Sequence, residues 1–276
     1  MKVKIFGAMF VLCMLIAFKA FASGEADNSS TFWEDTAKSN SPATKPPSTT
    51  GTTSTSPTAT PGTTVNNRAD PDASNWNITA LDTAANVTYL TDIEKDVILE
   101  MNKVRTNPKK YAELYIKPRL RHFNGKNYSV PGRITLVTKE GDAAVNACIS
   151  ALDRANSAGA LIPEKGLSLA AKDHVNDQSR TGQTGHNGSD RSTPESRMKR
   201  YGTFSGSWTY GENISYGDAT GREIVCSLLI DDGVPNRGHR ENIMNRAFTQ
   251  VGTGVGSHTQ YRTSCTTTYA NGYRSN

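Results

Sequence analysis

Cysteine is scarce, with four in 276 residues. Cys13 lies in an N-terminal apolar run, which leaves Cys148, Cys226 and Cys265, enough for one disulfide with one thiol over. That excludes a scaffold built on disulfides, and three buried free thiols acting as small apolar residues are an equally open reading. Long apolar runs are absent beyond residue 18, so no later segment approaches the ~20 residues that a bilayer span needs. No run or stripe of Lys and Arg interleaved with aromatics occurs, which argues against nucleic acid as a partner. Two compact catalytic signatures are also missing: no His-Glu-x-x-His for a zinc peptidase and no Gly-x-Ser-x-Gly elbow for a serine hydrolase.

What is present begins with a leader. Lys2 and Lys4 precede apolar residues from Ile5 to Phe18, and Ala20-Phe21-Ala22 has the small-x-small pattern of a signal peptidase site. Residues 1–22 therefore read as a signal peptide cut before Ser23, and the protein as secreted, or periplasmic in a Gram-negative source. Cleavage removes Lys2, Lys4 and Lys19, so much of the formal charge of +5 belongs to the leader. Ser48 to Thr64 contains only Ser, Thr, Pro, Gly and Ala. Such a stretch buries too little apolar surface to offset its ordering entropy, and residues 23–85 read as a disordered linker ahead of a domain over 86–276. Sequons at Asn28, Asn77, Asn86, Asn127, Asn187 and Asn213 matter only in a eukaryotic source.

Helical signals dominate the first half of the domain. Thr91-Asp92-Ile93-Glu94 has capping-box spacing, and Ile93, Val97, Ile98, Met101 and Val104 follow at helical intervals. Asn107-Pro108 starts a second helix, Gly141 to Arg154 a third, and Ser168 is placed to cap a fourth with His174 and Val175 turned inward. Thr193-Pro194 and Thr220-Gly221-Arg222-Glu223 open two more. Thr249 to Val255 and His258 to Ala270, rich in Val, Thr and Tyr with glycine breaks, favour strands. Helices first and strands late predict an α+β fold with a sheet packed against helices.

Four residues carry chemical interest: His186 in Gly185-His186-Asn187-Gly188, Glu212 in Gly211-Glu212-Asn213-Ile214, Asp231 at the end of a helix, and His239 in Gly238-His239-Arg240. Two imidazoles and two carboxylates suit a divalent metal, zinc above others. Each also has a structural reading. His186 sits on a glycine-flanked loop, Glu212 is a candidate partner for Arg240, Asp231 and Asp232 suit a turn before Gly233, and buried hydrogen bonds alone account for such a set. Cys226 falls in an apolar helix, where burial keeps a thiol inert.

Gly211-Glu212-Asn213-Ile214, the apolar helix ending in Asp231-Asp232-Gly233, and Gly238-His239-Arg240-Glu241-Asn242-Ile243 resemble, in order, the signature blocks of the CAP superfamily (cysteine-rich secretory protein, antigen 5, pathogenesis-related 1). Met101 to Arg105 and Ala170 to His174 are similar to the helices of a prokaryotic-style branch. The resemblance, over roughly residues 88–272, implies an α-β-α sandwich with a cleft where His186, Glu212, Asp231 and His239 meet around a metal. The usual third member is a glutamate three residues after a tryptophan, whereas here Asp231 follows Leu228. Two functions use this cleft: a non-catalytic extracellular binding or scaffold module for a lipid, glycan, peptide or protein, and a metal-dependent, peptidase-like hydrolase with Glu212 as general base.

Overall fold

The computed structural model describes residues 73–276. The signal peptide expected over 1–22 and most of the linker expected over 23–85 lie outside the described residues. The last stretch before residue 86 packs onto the domain. It forms one helical turn, α1 (Ile78–Leu81). The Trp76 Nε1 donates to the Tyr115 hydroxyl at 2.8 Å, the Asn102 amide donates to Leu81 O at 2.8 Å, and Ala84 is fully buried.

The capping box forms as its spacing implies: Thr91 N donates to Glu94 Oε2 at 2.8 Å and opens α2 (Asp92–Thr106). Its apolar residues Val97, Ile98, Met101 and Val104 are fully buried. Pro108 sits at the first position of α3 (Pro108–Tyr111), with the Asn107 side chain accepting from Lys110 N. The chain then tightens through a π-helical turn (Ala112–Ile116) and a 3-10 stretch (Lys117–His122). A small antiparallel sheet absent from the sequence reading follows: β1 (Phe123–Asn124), β2 (Asn127–Tyr128) and β3 (Leu136–Val137).

After α4 (Asp142–Arg154) and β4 (Ile162–Pro163) comes α5 (Lys165–Thr181). It starts ahead of the expected cap, so Ser168 lies inside the first turn and its hydroxyl donates back to Glu164 O at 3.0 Å. Thr193 caps α6 (Pro194–Arg200). The long strand β5 (Gly202–Tyr216) has no counterpart in the sequence reading beyond its signature residues. Thr220 caps α7 (Gly221–Ile230), and α8 (Gly238–Met244), β6 (Gln250–His258) and β7 (Arg262–Ser275) complete the domain.

The main sheet has the order β4-β6-β7-β5, with β4 parallel to β6 and the other pairs antiparallel. Alternation along a strand assigns its two faces. Gly252, Gly254 and Gly256 of β6 face α5 so closely that a Cβ on Gly252 would lie 2.1 Å from the Leu167 carbonyl carbon. On the other face, Val251, Cys265 and Tyr269 join Ile98, Met101, Ile224 and Leu228 in the principal core. Leu167 and Ala170 of α5 pack with Met198, Ala270 and Tyr273 in a second, smaller core. The result is the expected α+β arrangement, with helices on both faces of the sheet. Cys148, Cys226 and Cys265 are buried free thiols, which decides between the two cysteine readings. Burial pushes the Cys148 and Cys265 thiols up to about 12. Among the described residues no helix is long and apolar enough to cross a membrane.

Candidate functional site

The four residues singled out in the sequence assemble as two imidazole–carboxylate pairs. In the first, Glu212 projects from β5 as a buried carboxylate, and His186 meets it from the loop between α5 and α6. The His186 Nδ1 to Glu212 Oε1 distance is 2.9 Å. On the other side, the Arg197 guanidinium from α6 reaches both carboxylate oxygens, at 2.8 and 3.1 Å. Burial acts to raise the Glu212 carboxyl, but the His186 hydrogen bond and the positive charge of Arg197 outweigh it and bring it down to about 2. Glu212 is therefore ionised at neutral pH and accepts only, which places the bonded proton on His186 Nδ1 and turns Nε2 away from the carboxylate.

The loop carrying His186 is pinned on both sides. Gly185, whose φ of 95° only glycine adopts without strain, donates its N–H to the Tyr216 hydroxyl at 3.0 Å. Its carbonyl accepts from Gln178 and from the buried His174, each at 2.8 Å. His186 O accepts from Arg197 at 3.0 Å. Anchoring of this kind argues against a free loop, and the imidazole remains about one-third exposed, at 34%.

The second pair forms where α7 ends. Asp231 closes that helix in the left-handed region, with φ 57° and ψ 46°, a conformation that Asp tolerates better than most residues. From there Oδ1 accepts from His239 Nδ1 at 2.7 Å, while Oδ2 accepts from the backbone N–H groups of His239 and Arg240 at 3.0 and 3.4 Å. The aspartate thus caps α8 and orients an imidazole on the same turn. Its neighbour Asp232 accepts from Lys139 N and Glu140 N, and Arg237 ties Glu140 to Asp231 O. The shorter acid at the third family position therefore still reaches a histidine.

Asn213 and Asn242 join the two pairs. The Asn213 amide donates to His239 O at 2.9 Å, and the Asn242 amide donates to Asn213 Oδ1 at 2.8 Å and to Glu212 O at 3.3 Å. Asn213 is fully buried, which rules out its sequon as a glycan acceptor. Each carboxylate is fully engaged with its own imidazole and a further set of donors. Among the described residues no group of three or more His, Cys, Asp and Glu side chains is placed to hold a metal ion. No site motif marks Arg197 in the sequence pattern, yet it takes the place beside Glu212 for which Arg240 is the sequence candidate. Its only local signal is its position on the turn opened by Thr193-Pro194, which says nothing about Glu212.

Residues 100–270 match the family model described as CAP, the cysteine-rich secretory protein family. The chain belongs to this family. Among solved structures, the CAP domain is similar to an extracellular protein containing an SCP domain from Bacillus anthracis str. Ames, at 22% identity and a TM-score of 0.33, over 41% of this chain and 34% of that one. It is also similar to an outer surface protein from Borrelia burgdorferi, at 17% identity and a TM-score of 0.33, over 42% of this chain and 78% of that one. Both likenesses are too low for those proteins' properties to be read across. No curated protein matches the chain.

Proposed function

We propose that this chain is an exported, non-catalytic binding module whose CAP domain uses His186 and His239 to hold a divalent cation, zinc above others, and presents a cleft to an extracellular ligand. The observation that carries this reading is the common orientation of the two imidazoles, each with Nδ1 bonded to a buried carboxylate. Metal-binding histidines are held in this way, with the carboxylate fixing the tautomer and leaving Nε2 as the donor. On this reading the ligands are the two imidazoles and water, and Glu212 and Asp231 act as orienting partners, which accords with their hydrogen bonds to the Nδ1 atoms. When bound, the cation supplies a Lewis-acidic position for an oxygen or nitrogen donor of the ligand. Export rests on the leader sequence and accords with the family's secretory name.

Peptidase-like hydrolysis loses support at Glu212. A general base must be free to take a proton near the working pH, and this carboxylate is buried, doubly bonded to Arg197 and held at about 2. The test is calorimetric titration of zinc into the chelator-treated full chain beside His186→Ala and His239→Ala. One-to-one binding that either substitution abolishes is the expected result. Absence of binding to the unsubstituted chain would refute the metal reading and leave the two pairs as structural hydrogen-bond clusters.

A further inference from the structure

A groove of 860 Å³ lies outside the imidazole site and includes none of its residues. It is built largely from segments the sequence pattern left unassigned. The π and 3-10 run from Ala112 to His122 and the small β1-β2-β3 sheet form one side, the start of α7 another, and the β6-β7 turn closes the end. A volume of this size falls within the range of small-molecule pockets, roughly 300–1,000 Å³.

Its lining has two characters. Leu114, Pro118, Val130 and Leu136 provide an apolar surface, and Ile134 stands at the lip with 68% of its area exposed. Five arginines face the same space against two carboxylates, Asp218 and Glu223. Glu223 is bonded to Arg133, Asp218 accepts from the Ser215 and Ser227 hydroxyls, and Arg222 is bonded to Glu100. Arg119 donates to Tyr115 O and the Tyr128 hydroxyl, and Arg121 donates to His122. Neither of these nor Arg262 has a carboxylate within ion-pair distance among the described residues. Three guanidiniums outside ion-pair distance of any described carboxylate, with Arg119 also hydrogen-bonded to the Cys226 side chain and under the longer-range charge of Asp218, lie beside an apolar wall and define the complement of one ligand chemistry.

We infer that this groove binds a small organic anion with an apolar body, the anionic group held by Arg119, Arg121 and Arg262 and the body laid against Leu114, Leu136 and Ile134. Guanidinium forks match carboxylate and sulfonate oxygens in geometry as well as charge. Apolar area is what separates such a ligand from a bare anion. The inference stands apart from the metal reading, because the groove and the imidazole pairs share no residue.

The test is calorimetric titration of the full chain with dodecanoate and with 2-naphthoate, which separate a flexible body from a planar one, and with citrate and dodecyltrimethylammonium as controls. One-to-one binding of at least one apolar carboxylate, weakened tenfold or more by R121E/R262E, is expected, with neither control bound. Both arginines are exposed, so the double variant should keep the parent far-UV circular dichroism, and Ile134→Asp, also exposed, provides an independent second variant expected to weaken binding. Failure of both carboxylates to bind, equal binding of the cationic amphiphile or of citrate, or unchanged binding in both variants would overturn the assignment.

Discussion

Arg197 supplies Glu212 with a permanent countercharge beside the His186 hydrogen bond. A carboxylate this deeply buried keeps its charge only while a cation shares its cavity, and the guanidinium is itself 1% exposed. Arg197→Met should therefore cost about 3–5 kcal/mol in denaturant unfolding by stranding the carboxylate, and adding Glu212→Gln should restore part of that loss. His174 gives a second residue-scale expectation. Burial lowers its pKa more than the opposing attraction of Glu212 raises it, with Arg197 and His186 adding to the depression. Its imidazole takes up a proton more readily in the unfolded chain, so its contribution to stability is complete above about pH 6.5 and is lost as pH falls below that value. Melting temperature should drop between pH 7 and 5, and His174→Gln should flatten that dependence. Asp231→Ala should remove both the cap of α8 and the orientation of His239. Zinc affinity, where titration finds it, should fall 10–100-fold, the usual effect of losing an orienting partner.

At the scale of elements, the decisive contacts are between backbone and backbone. A methyl on Gly252 meets the carbonyl carbon of Leu167 and the nitrogen of Ser168, at 2.1 and 2.2 Å, and neither can step aside without moving α5. Gly256 differs, because the added Cβ meets only the Val175 side chain. Gly252→Ala should destabilise by about 3 kcal/mol and Gly256→Ala by about 1 kcal/mol, as overpacking of a rigid and a yielding site does. Thermal or denaturant melts of the two variants would check the order. The same distinction explains what was legible in the sequence. The caps at Thr91, Thr193 and Thr220 and the apolar period of α2 are local patterns, and the elements they announce are present. Ser168 satisfies the capping preference, yet α5 begins at Lys165, and the Ser168 hydroxyl bonds back to Glu164 O inside the helix. The strands β1 to β3 and most of β5 carry no clear alternation. The first three are two-residue strands too short to show a period, while β5 is held by pairing with distant partners, such as Tyr210 with Ala270, and no window of sequence contains that information. The site was legible through its family blocks, but its division into two pairs depends on Arg197 and on the left-handed backbone of Asp231, which only the folded chain brings into view.

For the molecule as a whole, the free thiols make a direct expectation. Three buried cysteines without a disulfide contribute no cross-link to stability, so melting temperature should be the same within about 1 °C with and without dithiothreitol; a clear drop on reduction would point to a disulfide that this arrangement of the chain does not contain. The close seating of α5 on β6 has a different consequence, for motion. Layers separated by long side chains can slide as those side chains change rotamer, but a helix resting on a row of glycines has almost no such slack. The two layers should behave as one mount, and a cleft built on it can change shape only through the connections it carries: residues 182–193, which bring His186, and residues 231–238, which lead from Asp231 to His239. Recognition by this domain would then be adjusted by two short arms on a fixed body, each arm ending at one imidazole.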